Sequence, residues 1–487
     1  MLLLLAPLLL AVAEPGYEDR LVGWALERTG RTLEPAPEGL VIEAVEVASE
    51  EVLAPSDPYP LLFNALHVRT RDGVLRREVL LEVGARWDGA RAEETERNLR
   101  RLLFLAVAKV VAARGEHGGV VLVVATKDAW SLRLTNSFTL VGSLLQSLAV
   151  QLVETNFNGW GQSLALGSTL TLDALSVSGA FSERRLLGSR WGLTVSAGPS
   201  FNRQTGALEG SAGALSFGQP VVSLDQEWAG GLDATWNLRP RRVYKGGAIW
   251  ALPYPDETSS QTVPLVYGVR ELHLTAAVTR STGRAFKVDV TGALDLVHRQ
   301  YTPPTDTGLT EAQRRWLIDT WLPRSETASS VVASVRAYQA GYRVLYDLES
   351  FQLSEDVQLG LSTLGRVRWA LPLPGTTSSF VELSGVARYR LAALDDLLVV
   401  SVAGTVRLAP GAAPANRRLA AEVVNYSPHV SGGRMVTRLL VDLRGNDLDH
   451  TRQFLGGATG LRGAPPDYQA GSNLVLLNVE YRTRPLE

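Results

Sequence analysis

Apolar and polar residues alternate along most of the chain from Trp130 onward, in runs separated by Gly, Pro, Asp and Ser turns. Over 271–279, Leu272, Leu274, Ala276 and Val278 oppose Glu271, His273, Thr275 and Thr279. Over 286–296, Phe286, Val288, Val290, Leu294 and Leu296 oppose Lys287, Asp289, Thr291 and Asp295. Over 434–444, Met435, Leu439, Val441 and Leu443 oppose Arg434, Arg438, Asp442 and Arg444. A period of two puts one face of a strand in an apolar medium and the other in water. The tight turn at Ser281–Arg284 joins the first two runs into a hairpin. Roughly sixteen such strands are expected. A soluble β-sandwich has the same local pattern, but these runs are long enough to cross a bilayer at a tilt of about 45°. Short turns at 281–284 and 393–396 alternate with long loops near 240–266 and 300–330, as in outer-membrane barrels. The pattern predicts an antiparallel transmembrane β-barrel over 129–487. Nine of the eleven tryptophans lie from Trp130 onward. Trp160, Trp191, Trp236 and Trp369 fall near strand ends, where an aromatic girdle would place them.

The upstream texture differs. Residues 14–38 read as a helical segment and linker. Leu21, Trp24, Ala25 and Leu26 share one side of a short helix over 16–34, which Pro35 and Pro37 end. Residues 39–128 read as one α+β unit in the order β-α-α-β-β. The expected elements are a strand at Val41–Val47, a loop with Pro55, Pro58 and Pro60, and a short helix at Val74–Leu81. A second helix is capped by Asp88 and runs to about Phe104, with apolar contacts from Leu99, Leu102 and Leu103. Strands follow at Phe104–Ala113 and Val120–Thr126, joined through the turn Gly115–Gly119.

Composition fits this division. The chain has 487 residues, 45% hydrophobic and 20% charged, with a mean hydropathy of +0.04. A helical membrane protein is far more apolar, whereas a barrel averages near neutral because its two faces differ. The net charge of −2 gives no basic footprint for nucleic acid. Residues 1–13 are an apolar run ending Ala11-Val12-Ala13, which predicts a secretory signal too short to span a bilayer. Cysteine is absent, which excludes disulfides, thiolate metal sites and a lipid anchor on Cys. The six histidines are scattered, no phosphate loop appears, and no nucleophile elbow flanks any Gly-x-Ser. An enzyme, a metal and a cofactor are therefore not expected.

The glycine-rich stretch Phe454–Tyr468 carries one cation, Arg462, between Leu461 and Gly463. A clean alternating strand follows, with Val475, Leu477, Val479 and Tyr481 on one face and Asn478, Glu480 and Arg482 on the other. Together with the α+β unit and the barrel pattern, these residues resemble the BamA/TamA family of outer-membrane proteins, which carry periplasmic POTRA domains before a barrel. Thr70, Arg77-Glu78, Gly84, Thr95-Glu96 and Asn98-Leu99-Arg100 look like POTRA helix and turn positions. Lys127–Ser131 resembles the exit into the barrel. Asn156-Phe157-Asn158-Gly159-Trp160-Gly161 is similar to the first periplasmic turn, with Asn156, Gly159 and Gly161 its candidate residues. Leu461-Arg462-Gly463-Ala464 resembles the family's (V/L)RG(F/Y) loop, here within 446–472. Ala464 departs from that pattern, where an aromatic is usual. The family also has further strands after this loop and a terminal aromatic, so the resemblance implies a barrel truncated at its C-terminus. Closure of the first strand directly on the last is the alternative.

The resemblance implies a lumen loop anchored by Arg462, a partly desolvated cation whose planar fork suits a carboxylate, with Glu480 as candidate partner. It implies an outer-membrane site with the POTRA-like unit in the periplasm. Edge strands marked by Val41, Val47, Val120 and Thr126 would then accept extended peptides by β-augmentation. The expected partners are the lipid bilayer, unfolded outer-membrane or secreted polypeptides, and periplasmic accessory proteins. The expected function is assistance in folding, inserting or translocating other polypeptides. The alternatives are a two-partner-secretion type transporter, with the 16–34 helix as a plug, and a passive pore or structural surface antigen.

Overall fold

The computed structural model describes residues 17–53, 64, 67–141, 143–245, 247–255, 261–305, 308–349, 354–430, 432–457, 460–464 and 468–483. The expected signal at 1–13, Pro55, Pro58 and Pro60, and the last four residues lie outside these. The chain divides into two compact units, 1–133 with 154–162, and 134–153 with 163–487.

The first unit contains α1 (Tyr17–Thr29), β1 (Ile42–Glu50), α2 (Asp72–Arg76), α3 (Gly89–Arg100), β2 (Leu105–Arg114) and β3 (Val120–Asp128). The sheet order is β1-β3-β2, with β1 parallel and β2 antiparallel to β3. Strand β3 is buried along its whole length, because alternate residues enter two different cores. Val120, Leu122 and Val124 pack with Leu75, Trp87, Leu99 and Phe104 beneath α2 and α3. Val121, Val123 and Ala125 pack with Leu21 and Ala25 of α1. The N-terminal helix is thus a third layer on the sheet. Lys109 fastens it through Glu18 at 2.6 Å.

Local chemistry sets the helix limits, which differ from expectation. Helix α1 stops at Thr29, before either proline. Gly30 there takes a left-handed φ of +65°, and residues 32–34 turn to bond β2 through Thr32 and Glu34. Helix α2 is shorter than Val74–Leu81, since Thr95 Oγ1 takes the Leu80 N–H at 3.1 Å and draws the chain away. Asp88 caps α3 by accepting from Ala90 and Arg91. That helix ends at Arg100 and not near Phe104. Leu102 and Phe104 turn inward, while Leu103 is 68% exposed.

The second unit is dominated by sixteen strands in one antiparallel sheet. They are β4 (Leu132–Val141), β5 (Leu144–Glu154), β6 (Gln162–Thr171), β7 (Ala174–Glu183), β8 (Gly192–Asn202), β9 (Leu208–Gln219), β10 (Trp228–Arg242), β15 (Val266–Thr282) and β16 (Phe286–Thr302). They continue with β17 (Glu326–Gln339), β20 (Gly360–Leu371), β21 (Phe380–Ala393), β22 (Asp396–Leu408), β23 (Ala415–Tyr426), β24 (Gly433–Gly445) and β27 (Leu474–Thr483). Every neighbour in the sheet is the next of these in sequence. Four short hairpins sit in the connections: β11–β12 (Tyr244–Lys245, Ala248–Ile249), β13–β14 (Ala251–Pro253, Thr262–Pro264), β18–β19 (Tyr342–Tyr346, Ser354–Gln358) and β25–β26 (Gln453–Leu455, Gln469–Gly471). Strands β4 and β27 end the order and are not hydrogen-bonded to each other among the described residues, so direct closure of first on last is not found.

The sheet curves. Five strand spacings separate β24 from β17, about 24 Å if flat. Leu448, three residues past β24, nevertheless accepts from Arg324, two residues before β17, at 3.2 Å. Five extended residues reach only about 17 Å, so the face bearing these loops is concave.

The alternation sorts by face. Leu272, Val278, Val290, Leu294, Val335, Leu439, Val475 and Leu477 are exposed on the convex side. Among the described residues, no helix is long and apolar enough to cross a membrane, and the apolar surface lies on strands. The long connections hold structure that alternation does not reveal. Helix α4 (Glu311–Thr320) lies within 300–330 and carries a capping box of Thr310 and Gln313. Its Leu317 packs with Leu252, Val263, Leu265 and Tyr267.

Candidate functional site

Three sequence-selected regions can be placed. The glycine-rich loop follows β24 and lies against β27. Arg462 Nη2 donates to Glu480 Oε1 at 2.6 Å. One strand residue pair away, Asn478 Nδ2 donates to the Gly460 carbonyl at 2.9 Å. Gly460, at φ +105°, sits against Leu476, where a Cβ would come within 2.4 Å of Cδ2. Thus Leu476, Asn478 and Glu480, on the face opposite the exposed valines, all touch the loop. The Ala464 N–H donates to Leu461 O, and its carbonyl accepts from Gly457 at 2.9 Å. The backbone therefore closes the tip where an aromatic was expected. Arg462 is not desolvated as expected: its side chain is 75% exposed, as is fitting for a loop surface, while Gly463 has open space at its Cβ position. An exposed pair of this kind contributes about 0–1 kcal/mol.

The turn at 155–161 belongs to the first unit by its contacts. Asn156 is buried. Its Nδ2 donates to Thr70 Oγ1 and its Oδ1 accepts from Gly161 N, both at 2.8 Å. Arg71 N–H donates to Gly159 O at 3.0 Å. Gly159 is at φ +74°, and a Cβ there would lie 2.5 Å from the Arg69 carbonyl oxygen, so glycine is required. Trp160 lies under the Arg71 guanidinium, 4.0 Å from ring centre to Cζ. Thr70 N–H in turn donates to Asp128 Oδ2 at 2.7 Å, beside His67 Nε2 at 2.9 Å. Asp128 falls in the Lys127–Ser131 stretch read from sequence, whereas His67, 61 residues away, carried no signal of its own.

The third region needs correction. Val120 and Thr126 mark no edge, because β3 is the central strand and pairs on both sides. Val41 precedes β1; its carbonyl accepts from Val120, and it bridges Arg86. The outer side of β1 is covered near Ile42 by Gly84 and Ala85 and at Val45 by Arg76. The outer side of β2 is covered by Thr32, Glu34 and the Glu96 carboxylate. Among the described residues, none of these covers reaches the Val47–Glu50 half of β1. At the start of β1, Glu43 accepts from the N–H groups of Gly119, His117 and Glu116. Desolvation pulls its carboxyl up, but these three donors outweigh it and hold it below its ordinary value.

The concave face of the large sheet is polar and cross-braced. Arg407 pairs with Glu326, and Arg368 with Asp295 at 3.1 Å. Arg418 pairs with Asp442 at 2.7 Å, and Arg438 with Glu422 at 2.6 Å. His273 pairs with Asp295, which also accepts from Thr275. At the short-turn end the β18–β19 hairpin folds onto this face: Leu345 and Leu348 pack with Leu397 and Val399. Asp347, Glu349 and the Leu348 carbonyl meet His429, Tyr426 and Arg482. At the long-loop end a cavity of about 460 Å³ is walled by Trp250, Trp321, Tyr267, Tyr301 and Phe454 with Arg241 and Arg452. His273, paired with Asp295, also lines this cavity.

No protein-family model and no curated protein matches the chain. Among solved structures it is similar to BamA from Haemophilus ducreyi lacking POTRA domains 1–3, at 10% identity, covering 84% of this chain and 72% of that one, with a TM-score of 0.33. It is similar as well to CdiB from Acinetobacter baumannii, at 10% identity, covering 84% and 71% of the two chains, with a TM-score of 0.36. Likeness at this level carries neither family nor activity to this chain.

Proposed function

We propose that the chain is an outer-membrane β-barrel protein that assists the folding, insertion or translocation of other polypeptides, with its first unit in the periplasm as a POTRA-type module. One observation carries the reading. Sixteen sequentially ordered antiparallel strands expose large apolar side chains on the convex face and brace charges on the concave face. Lipid outside and water inside satisfy that division, whereas a soluble sandwich would bury the apolar face. Peptide capture by the first unit uses the Val47–Glu50 stretch of β1, since backbone pairing there needs an open edge. The pair of Arg462 and Glu480, with Asn478 on Gly460, anchors the glycine-rich loop to the wall.

Depletion in the native host, followed by a survey of outer-membrane and secreted proteins, tests the function. General loss of barrel proteins supports assembly, and loss of one secreted protein supports transport. Unchanged levels of both overturn the proposal. A photo-crosslinker at Val47 should capture polypeptide and one at Val120 should not; equal capture removes the edge from the reading.

A further inference from the structure

A second, smaller cavity of about 110 Å³ adjoins the aromatic one and shares Arg299 and Asp449 with it. Its wall brings Arg299 of β16, Arg324 before β17, Arg368 of β20 and Arg407 of β22 into one space, opposite Glu326, Glu382 and Asp449. Four cations and three acids line it, and Asp295 reaches Arg368 from outside the lining. The charges are also unevenly used. Arg407 is committed to Glu326. Arg368 is nine-tenths buried; its Nε serves Asp295 and Ser330, but its buried Nη2 has no partner. Arg299 and Arg324 have no ion-pair partner among the described residues. Asp449, in the loop after β24, is pushed up from its ordinary value by burial, with Asp447 and Glu326 adding to the effect against Arg299 and Arg407.

We infer that this arginine-walled cavity binds a phosphate-type oxyanion, free or as the monoester of a group small enough for the adjoining aromatic cavity. Guanidinium donors arriving from four separate segments suit a ligand with several acceptor oxygens more than a planar carboxylate. An unpaired guanidinium edge buried beside two uncommitted arginines is otherwise left unsatisfied. The aromatic walls next door, with the unpartnered Trp321 Nε1, leave room for a ring on the ester side.

The test uses the full chain folded in detergent, with radiolabelled inorganic phosphate in equilibrium dialysis at constant ionic strength. One phosphate per chain is expected, not displaced by equimolar chloride. Replacing both free arginines (Arg299→Gln with Arg324→Gln) should weaken binding about tenfold or more. Arg324→Gln alone, in a loop, gives a variant that keeps the wall intact and should weaken it by a smaller factor. Competition by glucosamine 6-phosphate at lower concentration than phosphate assigns the ester as ligand, and weaker competition assigns the free ion. Binding that is absent, non-saturable or unchanged in the double variant overturns the inference.

Discussion

Strand β3 of the first unit and strand β16 of the large sheet are both rich in valine and leucine, yet they treat those residues oppositely. In β3 both sets of alternate residues enter protein cores, and Leu122 is fully buried. In β16 one set faces outward, with Leu294 61% exposed, while Asp289 and Asp295 are buried on the other side. The apolar medium is the protein itself in the first case and must come from outside in the second. Burial of charge with exposure of leucine is unfavourable in water but is satisfied by a bilayer around a braced, wet interior.

That contrast can be broken at its strongest point first. Leu122→Ala should cost about 2–5 kcal/mol, because the cavity it leaves lies between two rigid layers. Hydrogen exchange in β2 and β3 should accelerate while exchange in β16 stays unchanged. Equal acceleration in both would mean that the two units are not separate in stability. Leu294→Arg should cost about 2–4 kcal/mol when the chain is refolded into vesicles, as expected for a cation near the bilayer midplane. A neutral result in urea titrations would remove lipid from the convex face.

The first unit should also respond to acid through Glu43. Its carboxyl is held below the ordinary value of 4.5 by backbone donors. Stability from this group is complete above the unfolded value and is lost as pH falls through the folded one. Wild type should therefore lose more stability below pH 4.5 than Glu43→Gln, read as the acid midpoint of β1–β3 exchange protection. Parallel acid curves would discount the three N–H donors. The smallest effect is expected at Arg462→Ala, about 1 kcal/mol or less given its exposure. Proteolysis should nick the 456–464 loop faster, with the strands intact. Full resistance with normal activity would leave Asn478 and Leu476 as the tethers that matter.

The alternation made the large sheet legible, and the strand that follows the glycine-rich loop disclosed Glu480 as an acceptor on the correct face. Both are local, period-two signals. The position of β3 was also written in the chain, since Val120–Ala125 is an unbroken apolar run, the mark of a strand covered on both faces. The edge assignment of Val120 and Thr126 came from the resemblance and left this run unused. Helix α4 was announced by Thr310 and Gln313 at capping-box spacing, but it lay inside a presumed loop. The arginine cavity had no such signal. Arg299, Arg324, Arg368 and Arg407 meet only because the sheet curves, and curvature is a sum of many small twists that no short motif carries.

The hairpin β18–β19 is fastened to the concave wall through side chains, with Arg343 donating to the Ala392 and Leu394 carbonyls and Arg482 to that of Leu348; among the described residues it shares no strand ladder with the wall. Its release would break no hydrogen bond of the wall's own ladder. Its opening rate is thus set apart from the lifetime of the sheet, as for other weakly held local elements. Hydrogen exchange at Tyr342–Tyr346 should therefore outrun exchange in the neighbouring sheet strands, and replacing Tyr426 or His429 should widen that gap without changing exchange in the sheet.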